Sequence, residues 1–269
     1  MLNSYRVAAV QMVSGADVAA NLAEADQRVA EAAAQGATLI ALPEYFACLS
    51  PDENAKVRMR EKDGSGPLQD FLADCARRHA VWLVGGTIPL VADDDNRVRN
   101  TSLVYDDRGA RVARYDKLHL FAFQRGAERY DEARTIEAGI EVKSFDSPCG
   151  PTGLAVCYDL RFPEMFRQMG KVNLIVLPAA FTATTGQAHW EVLLRARAIE
   201  NQCYVLASAQ GGVHPHGRQT FGHSMLVDPW GVVVASLPTG GGVVIGEVNA
   251  ERITSVRESL PALDHRKLM

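Results

Sequence analysis

Cys157 stands immediately after the apolar run Gly153 to Val156, where GLAVCYDLRFPE turns from strand into helix, and Glu44 stands two residues past Leu42 in ALPEYF. A thiol and a carboxylate are the parts of a nucleophile with a general base. An ordinary thiol, with a pKa of about 8.5, needs a nearby base or cation to attack at neutral pH. A sharp strand-to-helix turn pushes its side chain outward and aims backbone N–H groups at the same point. Cysteine is also among the most buried residue types and packs as a small hydrophobe, so the thiol alone decides nothing. Lys117, in RYDKLHLF, follows a β-rich segment and precedes an apolar run, an odd place for a solvated lysine, and His119 lies two residues on. Either could serve Cys157, because a triad is assembled in space and spacing does not rank them.

The elements that must position these residues follow from periodicity. Arg6 to Met12 alternates, and Asp17 to Gln35 places apolar residues at Val18, Leu22, Ala25, Val29 and Ala32, a helical spacing stopped by Gly36. Thr38 to Leu42 is a short apolar run of the kind buried on both faces of a sheet. Pro67 to His79 reads as a helix, Val81 to Ile88 as one buried strand, and Thr101 to Tyr115 as a hairpin turning at Asp106 to Gly109. The same grammar then restarts with strand Gly153 to Val156, helix Phe162 to Met169, strand Val172 to Leu177, helix Gln187 to Glu200 and strand Cys203 to Ala209. Ser224 to Val227 and Val232 to Ser236 flank the turn Asp228-Pro229-Trp230-Gly231, and Gly240 to Gly242 lead into a last strand, Val243 to Val248. Strands alternating with helices and then giving way to hairpins predict an α/β fold with a mixed sheet layered with helices, its functional crevice beyond the carboxyl ends of the strands. No linker divides the halves, so residues 1–269 are expected to form one domain.

Composition sets the outer bounds. The 269 residues are 47% apolar and 22% charged, and 28 Lys plus Arg against 32 Asp plus Glu give a formal charge of −4, which excludes a disordered or collagen-like chain. With no basic block, nucleic acid is not the expected partner. No stretch approaches the roughly 20 apolar residues of a membrane span, and the N-terminus reads as a first strand and not a signal peptide. The five cysteines (Cys48, Cys75, Cys149, Cys157, Cys203) are odd in number and widely spaced, which points to free thiols in a reducing cytoplasm.

Glu44 in LPE, Lys117 in YDKLHLF and Cys157 in CYDLRFPE, in that order, resemble the pattern of the carbon–nitrogen hydrolase (nitrilase) superfamily, and the resemblance runs from Val7 to about Arg266. It implies a four-layer α-β-β-α sandwich and a cysteine-dependent amidase that forms a thioester and releases ammonia. Glu44 would then be the general base, Cys157 the nucleophile, and Lys117 with the backbone N–H of Tyr158 the oxyanion donors, with His119 left a structural role. Glu132, by its distance before Gly139, matches a second active-site carboxylate of the family, among the neighbours Glu128, Asp131 and Glu137. The segments GQAHWEVLLRARAIENQCYVLASAQGG and FGHSMLVDPWG resemble the branch acting on deaminated glutathione, ahead of ω-amidases acting on α-ketoglutaramate; an N-carbamoyl amino acid hydrolase is a further alternative. The resemblance also implies a homodimer or higher homo-oligomer and no metal or organic cofactor.

An anionic small-molecule amide substrate would call for an arginine. Arg161, Arg195, Arg197 and Arg218 are candidates, although Arg161 is expected to pair with Asp159 or Glu164, and Arg195 with Glu191 one helical turn away. His189, His214, His216 and His223 with Cys203 lack zinc-type spacing and read as a polar loop and its surroundings. Trp190, Leu193, Leu194 and Ile199 spread around their helix, which predicts burial on more than one side.

Overall fold

The structure, a computed structural model, describes residues 4–126 and 128–267. Strand β1 (Ser4–Gln11) alternates Val7 and Ala9 with Ala8 and Val10, and all four are fully buried, so the strand is covered on both faces. Asp17 caps helix α1 (Val18–Ala34) by accepting from the Ala20 N–H at 3.1 Å. The chain returns as β2 (Leu39–Ala41), passes a short helix α2 (Ala55–Arg58) and then α3 (Pro67–His79), and enters β3 (Trp82–Val84). The expected single strand from Val81 to Ile88 does not form. Gly85 and Gly86 break it, and Gly86 has φ +54° and sits so close to the Pro43 carbonyl that a Cβ there would lie 2.2 Å from its oxygen. The chain resumes as β4 (Ile88–Val91), followed by β5 (Val98–Tyr105) and β6 (Arg111–Asp116), a hairpin that turns at Asp106–Gly109 as its sequence predicts.

A two-stranded ribbon, β7 (Ala122–Arg125) and β8 (Glu128–Asp131), and the strand β9 (Lys143–Ser147) connect to the second half. There β10 (Gly150–Leu154), α4 (Pro163–Gln168), β11 (Leu174–Ala179), α5 (Ala183–Asn201) and β12 (Tyr204–Ala209) repeat the first pattern. Helix α5 starts four residues before the expected Gln187 because the Thr182 hydroxyl accepts from the Thr185 N–H at 3.3 Å. A second ribbon, β13 (Gly211–Val213) and β14 (Gln219–Phe221), precedes the hairpin β15 (Ser224–Val227) and β16 (Val233–Leu237). Strand β17 (Gly242–Asn249) then pairs antiparallel with β1, and α6 (Ala250–Ser259) ends the fold.

Among the described residues, one sheet runs β17-β1-β2-β3-β5-β4 with β6 on β5, and the other runs β16-β15-β12-β11-β10-β9. The three central strands of each are parallel. Side chains from alternating positions divide the apolar interior. Ala8, Val10, Ile40 and Leu83 pack against α1 and α3, while Val7, Ala9, Leu39 and Val84 meet Leu154, Val176 and Leu206 of the second sheet. Phe166, Trp190 and Leu194 cover that sheet's outer face. The result is an α-β-β-α sandwich in which each fully buried large apolar side chain contributes about 1.5–3 kcal/mol.

Helix α5 differs from expectation. It buries Trp190, Leu194 and Ala198 but leaves Val192 67% and Ile199 49% exposed, because only one side of it lies on the sheet. No helix among the described residues is long and apolar enough to cross a membrane.

Candidate active site

The carboxyl ends of β2, β6 and β10 converge at the seam between the two sheets. Glu44 follows β2 by three residues, with Tyr45 held at φ +57°. Lys117 follows β6 directly, its N–H donating to the Asn100 carbonyl at 3.0 Å and its own carbonyl accepting from Gly139. Strand β10 ends at Leu154, so Cys157 stands three residues beyond it. It opens a 3-10 turn (Cys157–Arg161) with φ +51°, a left-handed conformation that costs a non-glycine residue free energy and is held by its surroundings.

The structure brings Glu44, Lys117, Glu132 and Cys157 into one cluster. The Lys117 ammonium, fully buried, donates to Glu44 Oε1 at 2.9 Å and to Glu132 Oε1 and Oε2 at 3.0 and 2.8 Å. Glu44 Oε1 also accepts from Asn100 Nδ2 at 2.9 Å, its Oε2 accepts from the Ala180 N–H at 2.9 Å, and the Cys157 thiol is near enough for the two groups to act on each other's pKa. Glu132 further accepts from the Tyr45 hydroxyl at 2.8 Å and the Phe121 N–H at 2.7 Å. Of its charged neighbours, Glu137 pairs with Arg99 and Glu128 accepts from the Thr184 hydroxyl, so Glu132 is the carboxylate that reaches Lys117. Tyr158 is the second residue of the 3-10 turn, where a backbone N–H has no acceptor within the turn.

Burial, the largest influence, raises the Glu44 pKa; Glu132 adds to this and Lys117 opposes it, and the carboxyl ends above its ordinary value. Burial also acts on Glu132, but there the charge and hydrogen bonds of Lys117 with the Phe121 and Tyr45 donors prevail and its pKa falls. Burial works against the charge of Lys117, yet Glu132 and Glu44 together hold its pKa well above the ordinary lysine value. Cys157 is driven well up by burial and then by the Glu44 charge. The cluster therefore rests as an ionised Lys117–Glu132 pair, a thiol in its protonated form, and a carboxylate of enhanced basicity beside it.

Sequence reasoning missed the network that fixes the cluster. Asp159, fully buried, accepts at Oδ2 from the Tyr115 hydroxyl (2.6 Å) and the Val156 N–H (2.8 Å), and at Oδ1 lies 3.0 Å from the His119 N–H and 2.8 Å from its Nδ1. Tyr115 and His119 sit two residues either side of Lys117, and Val156 and Asp159 bracket Cys157, so one carboxylate latches the lysine strand to the cysteine turn. His119, stacked 3.7 Å from Phe162, thus has a structural role. The expected ion pair of Arg161 with Asp159 or Glu164 is absent among the described residues. Asp159 is saturated by those donors, and Arg161 lies over the Tyr158 and Phe181 rings with Nη1 3.2 Å from His189 Nδ1. Arg195 does pair with Glu191, at 3.5 Å. Of the histidines in and around the β13–β14 loop, His214 lies between the Ser14 carbonyl and the Thr220 hydroxyl, and His223 stacks on Phe221.

Two spaces open at the cluster. A hollow of about 10 Å³ is lined by Cys157, Tyr158, Ala180, Phe181 and Phe121, and a cavity of about 320 Å³ is lined by Tyr45, Glu132, Lys56, Tyr130, Arg218 and, again, Phe121. Phe121 lines both.

Comparison with known proteins bears on this site. The carbon-nitrogen hydrolase family signature matches residues 6–258. The chain is 40% identical to a deaminated glutathione amidase of Synechocystis over 98% of this chain and 99% of that protein, and 38% identical to the deaminated glutathione amidase of Homo sapiens over 97% of this chain and 82% of that one. Among solved structures, Saccharomyces cerevisiae Nit3, a member of branch 10 of the nitrilase superfamily, superposes with a TM-score of 0.87 at 29% identity, covering 98% of this chain and 97% of that one. The Caenorhabditis elegans NitFhit protein gives 0.87 at 37% identity over 98% of this chain and 65% of that longer one. A chain matched over this length, with its fold shared, belongs to the carbon-nitrogen hydrolase family and is a hydrolase of amide carbon–nitrogen bonds.

Proposed function

We propose that the protein hydrolyses a small keto-acid amide such as deaminated glutathione through a thioester on Cys157. The observation that carries this is the Lys117 ammonium held between Glu44 and Glu132, with Cys157 buried in the same cluster. Glu44 takes the thiol proton as sulfur bonds to the amide carbon, and the carbonyl electrons move onto oxygen, where Lys117 and the Tyr158 N–H stabilise them. Glu44 returns the proton to the departing nitrogen and the C–N bond breaks. Water, deprotonated by Glu44, then adds to the thioester, and the intermediate collapses to a carboxylic acid and the thiol. Glu132, kept ionised, holds Lys117 charged throughout.

The leaving group needs a revision of the expectation above. Ammonia leaves only from a primary amide, as in α-ketoglutaramate. The amide of deaminated glutathione is secondary, so its hydrolysis frees the amine of a cysteinyl-glycine unit, and an assay of ammonia would miss it.

The test compares deaminated glutathione, α-ketoglutaramate and an N-carbamoyl amino acid by formation of their carboxylic acid, ammonia and amine products. Mass spectrometry of rapidly quenched enzyme looks for an acyl group on Cys157. Comparable rates on all three substrates would remove the branch assignment; normal turnover by Cys157→Ala would remove the nucleophile.

The exposed Val192 and Ile199 of α5 adjoin Trp230 and Val232 at the β15–β16 turn, where Gly231 packs on Ile199, and this apolar face suits a homodimer contact. Sedimentation of a monomer at micromolar concentration would argue against it. All five cysteines are free, as suits a reducing cytoplasm.

A further inference from the structure

The larger cavity carries cations that the protein itself leaves unpaired. Among its lining acids, Asp52 pairs with Arg58, Glu53 with Arg134 and Glu132 with Lys117. Its lining cations Lys56, Arg129 and Arg218 have no ion-pair carboxylate among the described residues. Lys56 Nζ donates only to neutral acceptors, the Glu53 carbonyl and the Thr135 hydroxyl, both at 3.1 Å, which leaves one of its three N–H bonds unmet. The Arg218 guanidinium lies 5.0 Å from the centre of the Tyr130 ring, its Nη2 is 3.4 Å from the Ala180 carbonyl, and its Nε is buried with no acceptor at all. A buried donor without a partner is costly and rare in folded proteins, so Arg218 has the character of a site awaiting an acceptor.

Its location is equally specific. The Ala180 residue whose carbonyl Arg218 approaches also donates its N–H to Glu44 and lines the hollow at Cys157. Lys56 and Arg218 line the same cavity, where Lys56 feels the charges of Glu132 and Glu53 first and the repulsion of Arg218 after them.

We propose that Arg218 and Lys56 form a carboxylate-binding subsite in the 320 Å³ cavity, which holds a carboxylate that the amide substrate carries away from its scissile bond. This rests on the amidase reading and deepens it. A substrate with its amide carbon at Cys157 extends past Phe121 into the cavity, where the guanidinium fork donates to both carboxylate oxygens and the ammonium adds a point charge. One negative charge is what the cavity can take. Three unpaired cations face unpaired Asp131 and the surplus charge of the Glu44–Lys117–Glu132 cluster, and His216, its pKa lowered by burial and by Arg218, adds none at neutral pH.

The test measures kcat and KM for three amides: succinamate, with its carboxylate on the acyl side; N-butyrylglycine, with its carboxylate on the amine side; and butyramide, with none. The wild type should prefer one of the two anionic amides over butyramide by about 10-fold to 100-fold in kcat/KM, mostly through KM, as expected for hydrogen bonds to a charged group. In Arg218→Gln this preference should fall to within about 3-fold, with Arg218→Lys intermediate because it keeps charge and loses the fork. Lys56→Gln should lower the same ratio and carries the reading if Arg218→Gln does not fold. Which anionic amide is preferred tells whether the acyl or the amine portion occupies the subsite. Calorimetric binding of glutarate needs no turnover and should weaken about 10-fold or more in Arg218→Gln. Wild type that hydrolyses none of the amides would sink the amidase reading, with glutarate binding still deciding the subsite. Hydrolysis with no anionic preference, or a preference untouched by both variants, would overturn the subsite alone.

Discussion

Replacing Asp159 by Asn tests how the lysine strand and the cysteine turn are held together. The carboxylate accepts from two backbone N–H groups, those of Val156 and His119, one on each oxygen. Asparagine offers one oxygen and one NH2 group, so either orientation sets an NH2 against one backbone N–H. The Tyr115 hydroxyl can turn to accept and the His119 ring can change tautomer, but a backbone N–H can do neither. One orphaned donor costs about 1–3 kcal/mol, and loss of the charge-assisted strength of the remaining bonds adds to it, for a total near 3 kcal/mol. For a chain of this size that lowers Tm by about 6–12 °C. The left-handed geometry at Cys157 relaxes with the latch, and a shift of about 1 Å between thiol and Lys117 lowers kcat by about 10²-fold. Thermal melts followed by circular dichroism, with kcat measured well below the transition, check both figures. A variant melting within 2 °C of wild type at full kcat would refute the latch.

Other perturbations reach the cluster directly. Cys157→Ala should fold normally and lose turnover and acyl-enzyme formation together. Lys117→Met should lower kcat by about 10²-fold or more, because it removes the oxyanion donor and leaves Glu44 and Glu132 to repel each other. The pH profile of kcat/KM should rise with pH as Glu44 loses its proton, with its acid limb above the range of an ordinary glutamate, and Glu44→Gln should abolish it. Stability follows the opposite signs of the two carboxyls. The raised pKa of Glu44 favours folding at low pH and that contribution fades as pH rises through its folded value, whereas the lowered pKa of Glu132 favours folding at neutral pH and is lost as pH falls through its folded value. His214, held neutral by burial with its pKa lowered to about 4, binds its proton more readily when unfolded, so Tm should fall as pH drops from 6.5 towards 4, and a flat Tm there would contradict the buried neutral ring.

Glu44 and Cys157 were legible because each follows a strand at an end where open α/β sheets expose function, whereas Lys117 was separated from His119 only by the family pattern. Glu132 was legible only through the family pattern, since in sequence it is one acid among several. Asn100, Tyr45 and Asp159 carried no signal. Asn100 meets Glu44 from 56 positions away and Tyr115 meets Asp159 from 44, and such pairings exist only once strands are in register. The β7–β8 ribbon was invisible for another reason: AFQR and ERYD are four residues each with one aromatic apiece, too short to present an alternation to read. The break at Gly85-Gly86 was readable as punctuation, but the apolar run around it masked it.

The division of the cluster between the two sheets bears on how the protein is made. Glu44, Lys117 and Glu132 leave the ribosome well before Cys157 and Ala180. A half-made chain thus holds the base and the cation without a nucleophile, and the thiol, when it emerges, is an ordinary cysteine of ordinary reactivity. Only docking of the second sheet on the first brings the thiol to Glu44. On the proposed mechanism, assembly itself is the safety catch, because a chain that stalls or misfolds never sets the thiol beside its base.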